Sequence, residues 1–404
     1  MSLSDFDIAV CGGGVAGAAS AALLAASGHR VALIDVRRPD WQMPADDFDA
    51  RVVAISPGSA RILTASGAWL KHPASRRAEY RQMQVLSGSG RITFDAQSHG
   101  LDQLGWITEV PALQQAQWLA LAERGNVRIL APASVERLDR RRDRWRLGLD
   151  SGQHLDCALV VAADGARSRL RHLAGIKVDE WHYNQHALVT HLRCRRPNEG
   201  VAWQRFTEHG PLALLPLPDG RSSIVWSQPR ERVQQLLALP TEDFINELNQ
   251  HQDSPFGEVN QVGPRHAFKL VRRQARRLVG NGLVLLGDAA RNVHPLAGQG
   301  LNLGLADAAA LAEVLEDWQV EQDPQPRLER YLRWRQGSGS LIGGGIHLIN
   351  ELAHAPALLG PGLLGLGFGL AARLWPAREL FVRRACGLDS DSPRLARAPD
   401  PDFR

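Results

Sequence analysis

The sequence predicts an α/β protein with an antiparallel β region inserted into it, and three observations carry that expectation. A glycine-rich turn joins a short apolar run to an Ala/Leu-rich segment at the start of the chain, "DIAVCGGGVAGAASAALLAASG". Strand-like and helix-like stretches alternate over the next hundred residues and again near the C-terminal end. Between 186 and 226 the pattern changes to successive long β segments. With 404 residues, 44% of them hydrophobic, the chain can bury a large core and form two lobes.

The elements follow in order. Ile8 to Cys11 is an apolar run ending at glycine, as expected of a strand buried on both faces. Val15 to Ala26 reads as a helix stopped by Ser27-Gly28, and Arg30 to Val36 as the second strand of a βαβ unit. Val110 to Arg124 is helical, while Val127 to Leu130 and Ser134 to Leu138 are strands. A hairpin follows, with Trp145, Leu147 and Leu149 alternating against Arg144 and Arg146. Its "RLDRRRDR", 137 to 144, reads as a solvated turn rather than a basic patch. "HALVTHLRC", "VAWQRFTEHG", "PLALLPL" and "SSIVWSQ" make the antiparallel sheet, with Pro218-Asp219-Gly220 as a turn. "GLVLLGDAA" is a further buried strand, and helices fill the remainder. The closing "DSDSPRLARAPDPDFR" reads as a disordered tail.

Composition excludes several classes. The net charge of +4 is too small to argue for nucleic acid. Cys11, Cys157, Cys194 and Cys386 are scattered, with no CxxC and no Cys/His cluster, so no metal, iron–sulfur or dithiol site is expected. Cys11 and Cys157 fall in strand-like runs and are expected in the core of a protein from a reducing compartment. "FDIAV" at the N-terminus argues against a signal peptide. "APALLGPGLLGLGFGLAA", 355 to 372, lacks charge and approaches the roughly 17–25 residues of a span. Its Pro and Gly interruptions favour a buried helical hairpin or a patch on a bilayer surface.

Gly12, Gly14 and Gly17 form G-x-G-x-x-G between a strand and a helix, the spacing that lets backbone approach a pyrophosphate at a helix N-terminus. Asp35 ends the next strand, where an acid binds ribose hydroxyls. This fingerprint leaves NAD and FAD both open. Two further strand ends favour FAD: Asp164-Gly165 in "LVVAADGARSRLR" and Gly287-Asp288 in "GLVLLGDAA", each suited to a hydroxyl of an extended cofactor. No second G-x-G-x-x-G lies between strand and helix, so no resident NAD(P)H domain is expected.

Together the glycine motif, "ARVVAIS", "ADGARSRLR" and "GDAARNVHPLAGQGLNLGLADA" resemble the flavoprotein aromatic hydroxylases of p-hydroxybenzoate hydroxylase fold. More narrowly, "HPLAGQGLNLGLAD" resembles the ring hydroxylases of ubiquinone biosynthesis, the UbiH/UbiF/VisC group. The resemblance implies a Rossmann-like FAD-binding domain over 1–75, 101–180 and 276–340, and an inserted antiparallel substrate domain over 76–100 and 181–275. It adds C-terminal helices over 341–390 and a tail over 391–404. It implies Asp35 on the adenosine ribose, Arg51 on the pyrophosphate or flavin, Gln114 or Gln115 near the ribitol, Asp164 and Gly165 as braces, and Asp288, after Gly287, on the ribitol. Pro295 and the backbone from Ala297 through Gly298, Gln299 and Gly300, with Asn302 behind it, would lie against the isoalloxazine. The sequence departs from the family pattern at Glu109-Val110-Pro111 and at the glycine-rich C-terminal segment.

The implied reaction is hydroxylation of a polyprenyl phenol by O2 through a flavin C4a-hydroperoxide, with electrons from NAD(P)H or a redox protein. Backbone N–H groups near Gly298–Gly300 would face charge on reduced flavin, and apolar "LALLPL", 212 to 217, is a candidate wall against water. His294 is a candidate base, or a residue that sets the Pro295 turn. Three alternatives are kept: a small soluble phenol, a secondary metabolite, or an accessory role in a quinone-biosynthesis complex. The location expected is cytoplasmic, with or without peripheral contact at the inner membrane face.

Overall fold

The computed structural model describes residues 2–39, 47–88, 90–292, 299–336 and 391–397. The first sheet is built on parallel strands in the order Leu283–Leu285, His154–Ala162, Ser2–Cys11, Val31–Ile34 and Val127–Leu130. The hairpin Val135–Arg141 and Arg144–Leu149 extends it beside His154–Ala162. From Ser2–Cys11 the chain steps outward to one side, then returns to place His154–Ala162 on the other. That reversal creates a crevice at the carboxyl ends of these two strands. Helices Val15–Ala26, Val110–Ala122 and Gln299–Val314 cover the sheet, the first packing on both others. Cys11 and Cys157 are buried in the sheet, as their strand-like surroundings imply.

The second sheet holds the antiparallel strands His266–Ala275, Val178–Cys194, Ser222–Pro229, Gly210–Pro216 and Val201–Thr207, in that order, continued by Gln82–Ser87 and Gly90–Asp95. Strand Val178–Cys194 starts eight positions before His186. The polar stretch "VDEWHYNQ" hides this extension, and the register breaks between His182 and His186, where Asn184 has φ 53°. A small third sheet pairs Val52–Ile55 and Arg77–Tyr80 with Gly105–Glu109.

Cross-strand register sorts the second sheet into two faces. Leu188, Trp226 and Leu212 share one face, as do Ile224 and Leu214, and all pack against Val233, Leu236, Phe244 and Leu248 of helices Arg230–Ala238 and Thr241–His251. Val189, Val225 and Ala213 share the other, where Ala187, Val189 and Leu270 receive Ala50. That second face turns toward the segment leading into Val52–Ile55.

One expectation fails in part. Residues 391–397, expected within a disordered tail, are docked. Arg61 Nε donates to the Ala396 carbonyl at 2.9 Å, Trp334 Nε1 donates to the Asp391 carbonyl at 2.7 Å, and Arg394 pairs with Glu313 and Glu316. A short polar segment is held because partners remote in sequence supply its hydrogen bonds. Among the described residues no helix is long and apolar enough to cross a membrane; 355–372 lies outside them.

Candidate active site

The register of the parallel sheet brings the predicted motifs to one edge. Cys11 pairs with Ile34 and with Ala162, and Ala162 with Leu285, so four strands end level. Gly12 N–H donates to Ile34 O at 2.8 Å, Ala163 N–H to Cys11 O at 2.7 Å, and Leu286 N–H to Ala162 O at 3.0 Å. The Gly12–Gly17 turn, Asp35, Asp164 and Asp288 therefore leave the sheet side by side. A Cβ at Gly12 would stand 2.3 Å from Ala163 O, and one at Gly17 would stand 2.1 Å from Gly12 O. The chain's own packing requires both glycines. A Cβ at Gly14 would meet nothing within 4 Å. Glycine there answers to no neighbour in the protein, as expected if a ligand lies against that backbone.

The turn is pinned at Gly13. Its N–H donates to Asp35 Oδ2 at 2.5 Å, while the other Asp35 oxygen accepts from Arg37 N–H at 2.9 Å. Its carbonyl accepts from Gln114 Nε2 at 2.9 Å and from Trp118 Nε1 at 2.8 Å, one helical turn apart. A carboxylate has about four lone-pair sites, so Asp35 keeps acceptor capacity for a hydroxyl. Trp118 is absent from the sequence-derived site, and its only signal there is the four-residue spacing from Gln114. Gln115, on the next helical position, is half-buried.

At the second strand end, Asp164 accepts from Ser168 Oγ at 2.5 Å and from Leu170 N–H at 2.9 Å, and Gly165 follows with φ 81°. Its brace is internal: both carboxylate oxygens secure its own turn. At the third, the Asp288 side chain is exposed, although the protein packed around it affects its titration. Burial raises its carboxyl pKa, and a bond to Asn292 and the Arg273 charge pull the other way. Behind it sits a buried ion cluster that sequence reasoning missed. Asp307 pairs with Arg291, lies 2.7 Å from Arg335 Nε, and accepts weakly from Gly287 N–H at 3.4 Å.

Helix Gln299–Val314 begins at the same edge, with Gly300 half-buried in its first turn. His294, Pro295, Gly298 and the side chain of Gln299 lie outside the described residues. Asn302, expected on the cofactor, also has both ends of its amide engaged with the chain. It accepts from Ser56 N–H at 3.0 Å and donates to Ala54 O at 2.8 Å, tying this helix to strand Val52–Ile55. Gly304 serves packing. A Cβ there would stand 3.1 Å from Ala16 Cβ and 3.4 Å from Gly287 Cα.

Arg51 is exposed and paired with Asp49 at 3.0 Å. The wall expected over 212–217 divides by strand alternation. Leu212 and Leu214 are fully buried in the helix-backed core, whereas Ala213 and Leu215 are half-buried on the face that meets Ala50. Only the second pair can line a pocket on that face. Among the described residues no cluster could hold a metal ion.

Comparison with known proteins accounts for this arrangement. The family model for the FAD binding domain matches residues 5–340. The chain is 36% identical over 350 residues to the 3-demethoxyubiquinol 3-hydroxylase of Escherichia coli, covering 85% of this chain and 88% of that one. It is 35% identical over 400 residues to the ubiquinone hydroxylase UbiL of Rhodospirillum rubrum, covering 97% and 92%. Among solved structures, p-nitrophenol 4-monooxygenase from Pseudomonas putida superposes with a TM-score of 0.75 at 18% identity, covering 96% of this chain and 99% of that one. That likeness shows the p-hydroxybenzoate hydroxylase type of fold. FAD is the cofactor, and the chain belongs to the ubiquinone-biosynthesis family of FAD-dependent hydroxylases, as a monooxygenase of that family.

Proposed function

We propose that the protein hydroxylates the aromatic ring of a polyprenyl phenol on the route to ubiquinone. In this reading the Gly12–Gly17 turn and the N-terminus of Val15–Ala26 take the FAD pyrophosphate, Asp35 the adenosine ribose, and Asp288 the ribitol. Arg51 approaches the pyrophosphate, Gln115 faces the ribitol, and the stretch from His294 through Pro295 to Gly300 lies along the flavin ring. Bound FAD, once reduced, supplies the activation of O2 that puts one oxygen atom on an electron-rich ring. The protein binds, orients and excludes water. Electrons come from NAD(P)H that docks transiently or from a redox protein, in keeping with the single G-x-G-x-x-G placed between strand and helix.

The observation that carries the substrate class is an apolar row on one face of the antiparallel sheet. Val189, Val225 and Ala213 form one row across three strands, with Ala187 and Leu215 beside them, and Ala50 packs against this face. Such a row suits a greasy ring and tail, and the Arg76 and Arg221 guanidiniums near it are already paired with Glu109 and Asp47. The names of the Escherichia coli and Rhodospirillum rubrum relatives support the same class. A polyprenyl substrate resides in the bilayer, so the enzyme works at the inner membrane face. The test is to delete the gene and identify the accumulating lipid by mass spectrometry. A prenylated phenol short of one ring hydroxyl is expected, and its missing position names the step. Normal quinone levels in the deletion, with rapid NAD(P)H oxidation by purified protein on a water-soluble phenol, would overturn it.

A further inference from the structure

The Phe48 ring is flanked by two guanidinium groups and an imidazole. The Arg76 and Arg221 guanidinium carbons lie 4.8 and 5.3 Å from its ring centroid, and the His191 ring meets it edge-on at 6.5 Å. The backbone on either side is tied as firmly. His191 Nε2 is 3.2 Å from both the Phe48 and Asp49 carbonyl oxygens. Arg76 Nη1 donates to Asp47 O at 2.8 Å, Glu109 Oε1 accepts from Asp49 N–H at 2.6 Å, and Arg221 pairs with the Asp47 carboxylate at 2.9 Å.

The two carbonyl partners require the His191 hydrogen on Nε2. Its Nδ1 is buried without a partner, so the ring is neutral, and burial lowers its pKa accordingly. Asp49, fixed in this way, holds Arg51: Oδ1 accepts from Arg51 N–H at 2.8 Å and from Nε at 3.0 Å, and Oδ2 from Nη2 at 3.3 Å. His191 sits in the same cross-strand row as Ser223 and Leu215, on the face assigned above to the substrate. A residue of the antiparallel sheet thus sets the backbone that presents Arg51.

We propose that His191 and Arg221 are positioning residues for FAD, acting through Asp49 to pre-set Arg51. The inference rests on the reading of Arg51 as an FAD contact. Without these anchors, segment 47–51 would be ordered only when FAD binds, and that ordering would weaken affinity.

The experiment titrates apoprotein with FAD, following flavin fluorescence, for wild type, R51M, H191L, H191Q, R221M and the double variant R51M/H191L. Circular dichroism and the thermal midpoint of each apoprotein report the fold. R51M is expected to weaken FAD binding, and H191L to weaken it about tenfold, the worth of lost hydrogen bonds. H191Q, whose amide N–H can reach the same carbonyls, is expected near wild type, and R221M weaker than wild type with an unchanged midpoint. In the R51M background H191L should add less than about twofold, because a residue acting through Arg51 has nothing left to position. Wild-type affinity for R51M would remove the Arg51 reading itself. Weak R51M with normal H191L and R221M, or an additive double variant, would leave that reading intact and overturn the positioning role. If H191L does not fold, R221M alone decides the matter, since its stem still covers Phe48.

Discussion

The indole N–H of Trp118 donates to the Gly13 carbonyl at 2.8 Å, across 105 positions of sequence. Gln114 donates to the same oxygen. The glycine-rich turn is therefore held from outside by a helix that carries no glycine motif. Trp118→Phe keeps most of the buried shape and removes the donor. We expect a loss of about 1 kcal/mol in urea unfolding, together with FAD affinity lowered several-fold. Unchanged affinity would show that Gln114 alone fixes the turn.

Gly14 and Gly17 should respond differently to a side chain. Gly14→Val places its side chain in open space, so the apoprotein should keep its thermal midpoint while the purified protein loses its visible flavin absorbance. Gly17→Ala drives a Cβ into the Gly12 carbonyl and should cost about 1–3 kcal/mol of stability by overpacking, measured by denaturant unfolding of apoprotein. Equal destabilisation by the two changes would contradict the assignment of Gly14 to a ligand.

Asp307→Asn leaves Arg291 and Arg335 buried with much of their compensating charge removed. A destabilisation of about 3–5 kcal/mol is expected in urea unfolding. FAD binding should weaken with it, because Arg291 and Gly287 flank Asp288. A variant as stable as wild type would show that the cluster relaxes to solvent.

His72 gives the stability a pH dependence of known sign. Burial first, and the Arg77 charge second, lower its pKa from 6.5 to about 4. A histidine with a depressed folded value favours folding fully above its unfolded pKa, and this contribution is lost as pH falls from 6.5 toward 4. Its part of the change is about 2–3 kcal/mol. Urea midpoints at pH 7, 5.5 and 4.5 should fall more steeply for wild type than for His72→Gln, and parallel curves would refute this.

Much of this molecule was legible where local pattern and tertiary need coincide. Helix Val15–Ala26 begins and ends where Gly14 and Ser27 predict, and strand Val127–Leu130 matches its apolar run. The strand ends at Asp35, Asp164 and Asp288 share an edge because each follows a buried parallel strand. What stayed hidden is nonlocal. Trp118 reaching Gly13, the Asp307 cluster and the clasp around Phe48 depend on pairings that no spacing encodes. Asn302 and Gly304 lie within a conspicuous motif, so the motif's evident purpose concealed their separate structural work.

Strand Gly210–Pro216 serves two masters in alternation, with Leu212 and Leu214 committed to the helix-backed core and Ala213 and Leu215 to the opposite face. Neighbouring positions along one strand therefore answer to different packing demands. A lineage could redraw the shape of its pocket by changing every second residue, without disturbing the foundation that keeps the sheet folded. If this face lines the substrate pocket, as proposed, a change in the ring position hydroxylated needs no new architecture, only new residues at alternate places.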